Sequence, residues 1–418
     1  MDSTVSGTDA WLDEHANEIA AETAALVQLH TESFPKPNNQ EAALQERVSG
    51  RLQKLGFTID QWEPDLTGHP RIPKDHNWKG RPLTVGKLAG AGSGKSIIIN
   101  GHCDTVPISG DWQRDPFGGQ IEDGKVWGRG SCDMKGGIAA ALAALDALQA
   151  CGIKLKGEVQ FWCVSDEELG GFSTIAAAER GYRADAAVIP EPTDLNIFAA
   201  TRGILWGKMQ LVGREGHAEV DPPPWQRGGP VNADQLIVQA ANGIMNLGKK
   251  RRVLTHPLLS PPDTPVTMLQ GGDAPEILPS HAYLQIDATY MPYEKSSDVK
   301  AAIEQAALAD DDGWLAVHRP TWDWQLDYPP YEIAESDPLV QAALEAMKRA
   351  GKQDVRPVGL DSGYDGTLLA NYYGIPSIGL GPGSIRQAHA ENEFVEISQL
   401  VTSAKALANL LVLWCGTV

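Results

Sequence analysis

Short apolar runs and amphipathic stretches take turns along the first half of the chain. Residues 41–55 place Leu44, Val48, Leu52 and Leu55 at helical spacing with Gly56 as a stop, and residues 11–30 also read as helix. Residues 138–149 repeat the pattern with Ile138, Leu142, Leu145 and Leu148. Between these lie continuous apolar runs at 96–100, 157–165 and 186–189, rich in β-branched and aromatic residues, which read as buried strands. Residues 61–81 are rich in Pro, Gly and His and read as a long loop, in which His69 and His76 lack ligand spacing and are expected at the surface. Strands alternating with helices predict an α/β domain with a mostly parallel sheet and a site outside the strand ends.

The pattern changes near residue 201. A strand at 204–212, a Gly- and Pro-rich stretch at 213–229, a helix at 232–247, strands near 266 and at 282–289, and a helix at 297–307 read as an inserted α+β domain. The first domain resumes with a helix at 338–350, a strand at 375–380 and a helix at 397–411. The expected division is 1–201 with 326–418 for the α/β domain and 202–325 for the insert.

Composition narrows the partners. A chain of 418 residues needs more than one core, and its net charge of -19 argues against nucleic acid or an anionic membrane as partner. The five cysteines, Cys103, Cys132, Cys151, Cys163 and Cys415, form no CxxC pair, and their odd number suits a reducing compartment. Acids stand in residues 1–14 where a secretory signal needs bases, and no stretch is expected to reach the ~18 apolar residues of a membrane span. The expected location is the cytoplasm.

The chemistry gathers at predicted strand ends. Gly101-His102-Cys103-Asp104-Thr105-Val106-Pro107 follows the strand at 96–100, and in extended chain residues i and i+2 share a face. Asp104 is thus set to hold the His102 ring while the other ring nitrogen ligates a metal; on this motif alone a satisfied histidine at a strand end is the more ordinary reading. Asp133, in the run Gly128 to Gly137 before the helix at 138–149, reads either as a ligand or as a helix N-cap. Glu167 and Glu168 follow the strand at 157–165, Glu191 follows 186–189, and His389 follows 375–380. Two imidazoles and several carboxylates suit one or two divalent ions, Zn, Mn or Co, with Asp133 between them. Of two adjacent acids, one can ligate while the other faces the attacking water.

Taken in this order, the five motifs resemble the M20 metallopeptidase family, over roughly residues 102 to 389. The resemblance implies His102, Asp133, Glu168, Glu191 and His389 as metal ligands, Asp104 as the partner of His102, and Glu167 as general base. Glu191, in Glu-Pro-Thr, follows the acetylornithine deacetylase and succinyl-diaminopimelate desuccinylase branch. It also implies that the insert is a lid and dimerisation domain, and that His217, in Gly213-Arg214-Glu215-Gly216-His217-Ala218, reaches the partner subunit's site to stabilise an oxyanion.

Two segments depart from the family. Glu276 stands where it usually has asparagine, and Thr289 where it has the arginine that binds a substrate carboxylate. Arg202 and Arg386 are candidate substitutes, and each is also a plausible salt-bridge residue. The expected function is hydrolysis of a linear amide, an N-acyl amino acid or a similar small molecule, by a water bound at the metals. Displacement of an aryl amine by water, as in nitroanthranilate aminohydrolase, is the alternative, and a non-catalytic binding relative, which would have lost Glu167 or a ligand, is a third. A homodimer or higher homo-oligomer is expected.

Overall fold

Four strands, Val159–Val164, Ile97–His102, Ala187–Ile189 and Ser377–Gly379, are buried along their whole length. Strands without a polar face must be covered on both sides, which helices joined by crossovers provide. These four lie side by side and parallel, with His102 opposite Val164, Ile99 opposite Val188 and Gly379 opposite Ile189. Their carboxyl ends therefore point the same way. The sheet is less uniformly parallel than the pattern predicts. Leu83–Leu88 and Thr58–Trp62 extend one side antiparallel, and Ile197–Thr201 adds antiparallel to Ser377–Gly379 on the other.

The computed structural model describes residues 3–33, 39–309 and 313–418. It divides into two compact units: Met1–Ala199 with Ile333–Val358 and Tyr364–Val418, and Ala200–Glu332 with Gly359–Gly363. In the first, Asn100 donates to Thr174 and Asp365, whereas a Cβ on Gly101 would lie 2.8 Å from Ile138. Successive strand residues face opposite ways. Phe172–Glu179 and Asp365–Tyr373 therefore cover one face of the sheet, and Gly136–Ala150 covers the other. The N-terminal helix breaks at His15 into Ser3–Glu14 and Ala16–Val27, where the His15 ring turns back to the Trp11 carbonyl at 2.7 Å.

The last helix, Ile397–Cys415, corrects one expectation. It is long and apolar enough to cross a membrane by length and composition. Its residues Leu400, Ala404, Leu407, Leu410 and Leu411 are nevertheless buried inside the first unit, as in the core helix of a globular fold.

The second unit is an antiparallel sheet in the order Val266–Gly271, His281–Tyr290, Gly203–Val212, Thr321–Tyr328. Burial alternates along Gly203–Val212 and His281–Tyr290, so one face carries Leu205, Met209, Leu284 and Ile286 into a core shared with the helix Ala233–Arg251. Asn232 caps that helix, accepting from the backbone of Asp234 and Gln235. The strand Val266–Gly271 lies at the sheet's edge, with Met268 and Leu269 each 50% exposed.

Candidate active site

Seven of the expected residues come to one place in the first unit, most of them from beyond the parallel strand ends and Asp133 from the turn before the helix Gly136–Ala150. His102 closes its strand fully buried, with Nδ1 3.0 Å from the Asp104 backbone carbonyl and 3.4 Å from that residue's carboxylate. A proton on Nδ1 leaves the Nε2 lone pair free. Nε2 lies 3.0 Å from Asp133 Oδ1 and 3.9 Å from Glu191 Oε1. The second Asp133 oxygen, Oδ2, is 3.5 Å from His389 Nε2, which lies 3.0 Å from Glu168 Oε2. Two clusters result, His102–Asp133–Glu191 and Asp133–Glu168–His389, each with ligand atoms within 4.8 Å of one another. Asp133 belongs to both. It is no helix cap, because the helix Gly136–Ala150 begins after Lys135 without a side-chain cap.

The Asp104 carboxylate serves the neighbouring turn as well as the ring. It accepts from the backbone N–H of Glu167 and of Glu168, each at 3.3 Å, and from the Ser33 hydroxyl at 3.1 Å. The turn begins at Asp166, whose φ of 64° is left-handed, and the chain folds there into a single 3-10 turn, Glu167–Leu169.

Asp166 is held from the loop at 61–81, against the expectation for His76. That ring is not at the surface: its side chain is 7% exposed, edge-on to Trp78 and Phe172, with Nε2 3.0 Å from Asp166 Oδ2. Arg81, also buried, pairs with Asp166 and with Glu41. His69 remains exposed as expected. Arg81→Met would leave two buried carboxylates without their cation, and urea unfolding is expected to show a loss of about 3–5 kcal/mol. The neutral triple variant Arg81→Met/Glu41→Gln/Asp166→Asn is expected to lose much less.

The electrostatics are those of acids crowded out of water. Burial pushes the Glu191 and Glu167 carboxyls well above the usual range, a charged His102 opposes this, and neighbouring carboxylates add to it. Glu168 is raised for the same first reason. Asp133 goes the other way, because its hydrogen bonds to His102 and His389 outweigh the cost of burial. Those to Asp133 and Glu168 push His389 up to about 10. Burial would lower His102, yet its bonds to Asp104 and Asp133 raise it well above its ordinary value. Glu191 Oε1 is buried without a hydrogen-bond partner. A pocket of oxygen and nitrogen donors, short of positive charge and with an orphaned carboxylate oxygen, suits divalent cations.

The remaining expected residues have other surroundings. In the second unit, His217 is exposed and its Nδ1 accepts from the Glu219 backbone at 3.2 Å. Arg202, also there, donates from Nε and Nη2 to the Asp361 carbonyl and from Nη1 to the Pro261 carbonyl. Its guanidinium thus holds its own unit together. Glu276 is exposed, and the Thr289 hydroxyl is tied to Asp263. Arg386, in the first unit, is exposed, with no side-chain partner among the described residues.

Residues 98–412 match the model of peptidase family M20/M25/M40. The chain belongs to this family. With that membership it is a metal-dependent hydrolase of amide bonds. N-formyl-4-amino-5-aminomethyl-2-methylpyrimidine deformylase of Bacillus subtilis is 29% identical over 100% of this chain and 99% of its own length. The enzyme of that name from Halalkalibacterium halodurans is 28% identical over 97% and 96%. Acetylornithine deacetylase of Salmonella arizonae is 29% identical over 85% of this chain and 86% of its own. Among solved structures, the dipeptidase Dug1p of Saccharomyces cerevisiae shares the fold, with a TM-score of 0.74 at 16% identity over 99% of both chains. A dinuclear metal-binding M20 peptidase of Bacillus subtilis shares it with a TM-score of 0.68 at 18% identity, over 97% and 100%.

Proposed function

We propose that this M20 hydrolase removes a formyl or other short acyl group from a compact aromatic amine. The observation that carries this reading is the end-to-end similarity to two pyrimidine deformylases, where the match to acetylornithine deacetylase covers 85% of the chain. Thr289 supports it, since its hydroxyl is engaged by Asp263 and offers no cation to a substrate carboxylate. An arginine fork on a carboxylate is strong and directional, and a substrate without that carboxylate does not need it.

His102, Glu191, Glu168 and His389 would hold one or two ions of zinc, manganese or cobalt, with Asp133 shared between them. Such ions, when bound, activate water and polarise the amide carbonyl. The Glu167 carboxylate takes a proton from water as its oxygen bonds to the carbonyl carbon. It then returns that proton to the amine nitrogen as the C–N bond breaks, leaving a free amine and a carboxylic acid, whose remaining proton is lost to solvent. Asp104 positions both actors, through the His102 ring and through the backbone of Glu167 and Glu168.

Selectivity tests the substrate. On metal-loaded protein, kcat/KM for the N-formyl aminomethylpyrimidine is expected to exceed that for acetylornithine by about 10²-fold or more. Acetylornithine turnover on the order of 10⁵ M⁻¹s⁻¹ would show an ordinary acyl amino acid hydrolase instead, with Arg386 the free guanidinium to examine. Ammonia release from aryl amines, with the amide left intact, would favour the aminohydrolase alternative.

The reading extends to a cytoplasmic homodimer in which His217 completes the partner's site as an oxyanion donor. Five free cysteines suit a reducing compartment, and an exposed His217 suits a role across an interface. Mixing inactive His217→Ala with inactive Glu167→Gln subunits is expected to restore activity in proportion to subunit exchange. No recovery after demonstrated exchange would rule out sharing.

A further inference from the structure

The motif segments that carry Asp133 and His389 are far apart in sequence and are joined by a buried ion pair. Arg129 and Glu393 are 1% and 0% exposed, with Arg129 Nη1 2.7 Å from Glu393 Oε2. The other carboxylate oxygen, Oε1, accepts from the backbone N–H of Cys132 at 2.9 Å and of Asp133 at 3.1 Å. The guanidinium reaches the opposite way: Nη2 donates to the His389 carbonyl and Nη1 to the Ala390 carbonyl, each at 3.3 Å. Gly128 N–H adds a bond to the Glu393 carbonyl at 2.8 Å. One pair of side chains thus grips the backbone at both residues of the Asp133–Glu168–His389 cluster that lie outside the Glu167 turn. His389 and Asn392 have left-handed φ of 62° and 54°, a loop shape that needs outside support in non-glycine residues.

We infer that the Arg129–Glu393 pair is a positioning brace that sets the distance between the Asp133 and His389 carriers, and so the affinity and selectivity of the cation position they share. The inference rests on the reading of Asp133 and His389 as ligands. A buried ion pair is weak support for stability, since neutral residues of similar size often serve as well. This one stands out for what it grips. Outer partners of ligating residues commonly govern metal affinity about 10–100-fold. The brace touches one side of the site only: the His102–Asp133–Glu191 cluster shares Asp133 with it, while His102 and Glu191 are reached by neither side chain.

The test is a cobalt(II) titration of metal-stripped full-length protein, read by calorimetry and by the visible d–d spectrum. Four proteins are compared with the parent: Arg129→Met/Glu393→Gln, which removes both charges together; Arg129→Lys, which keeps the charge but cannot reach two carbonyls; His389→Ala; and Arg251→Met/Glu294→Gln. The last removes another largely buried pair, in the second unit, with 2.9 Å between partners. The expected result is a 10–100-fold weaker cobalt position with an altered spectrum in Arg129→Met/Glu393→Gln, a smaller loss in Arg129→Lys, and parental binding in the Arg251 variant.

Parental affinity and spectrum in Arg129→Met/Glu393→Gln, beside a clear loss in His389→Ala, would overturn the brace alone. Equal losses in the Arg129 and Arg251 double variants would overturn it too, by showing general destabilisation. Parental cobalt binding in His389→Ala would overturn the ligand reading, and the brace with it. Should the neutral double variant not fold, Arg129→Lys decides by the same two readouts.

Discussion

Glu167→Gln protein is expected to bind metal like the parent and to lose about 10²–10⁴-fold in kcat, the usual contribution of a general base. Its carboxylate is not a member of either ligand cluster, which draw instead on Glu168, Glu191, Asp133 and the two histidines. The amide of glutamine preserves size and leaves the backbone bonds to Asp104 in place, so the loss should fall on kcat more than on KM. Metal analysis beside steady-state kinetics gives the check. Normal turnover by Glu167→Gln would mean that another group handles the proton. Loss of metal in that variant would mean that Glu167 is a ligand.

The second large effect is expected from the proposed ligands. Asp133 offers Oδ1 to one cluster and Oδ2 to the other, so Asp133→Ala should empty both, whereas His389→Ala should weaken one. Dialysis against a chelator should abolish activity, and titrating metal back should restore it. Metal should also stabilise the fold, by about 2.7 kcal/mol at a free concentration of 100 times Kd. Thermal unfolding of Asp133→Ala, which lacks the sites, is expected to be insensitive to added metal. Metal-dependent stabilisation that survives in Asp133→Ala would locate the ions elsewhere.

Much of this site was legible because strand-end chemistry leaves a compact trace. His102, Glu167, Glu168 and Glu191 each follow a short apolar run by two or three residues, and the parallel register carries all of them to the same end of the sheet. Partners set by tertiary return were not legible. Arg81 and His76 sit in a Pro- and Gly-rich stretch whose polarity reads as surface, yet the loop folds back and buries both against Asp166. Arg129 and Glu393 lie within motifs that the sequence does display, but nothing local says that they meet across 264 positions. The strand Thr321–Tyr328 carries a signal that the apolar runs overshadow: Trp322, Trp324 and Leu326 alternate with Asp323, Gln325 and Asp327, the period of a half-buried strand. The antiparallel flanks escape because hydropathy reports burial and not strand direction.

The edge strand Val266–Gly271 has a colloidal consequence. Its sequence, Val-Thr-Met-Leu-Gln-Gly, holds no charge and no proline to discourage pairing, and among the described residues its only strand partner is His281–Tyr290. Such an edge is a template for any extended chain that meets it, and globular proteins keep templates of this kind covered. A solitary chain would present open backbone donors and acceptors beside Met268 and Leu269, a surface that recruits strangers as readily as its own kind. In the proposed homodimer, dilution that separates the subunits should therefore not yield a well-behaved monomer. It should yield a sticky one, of which a growing share is lost to vessel walls as the protein is thinned.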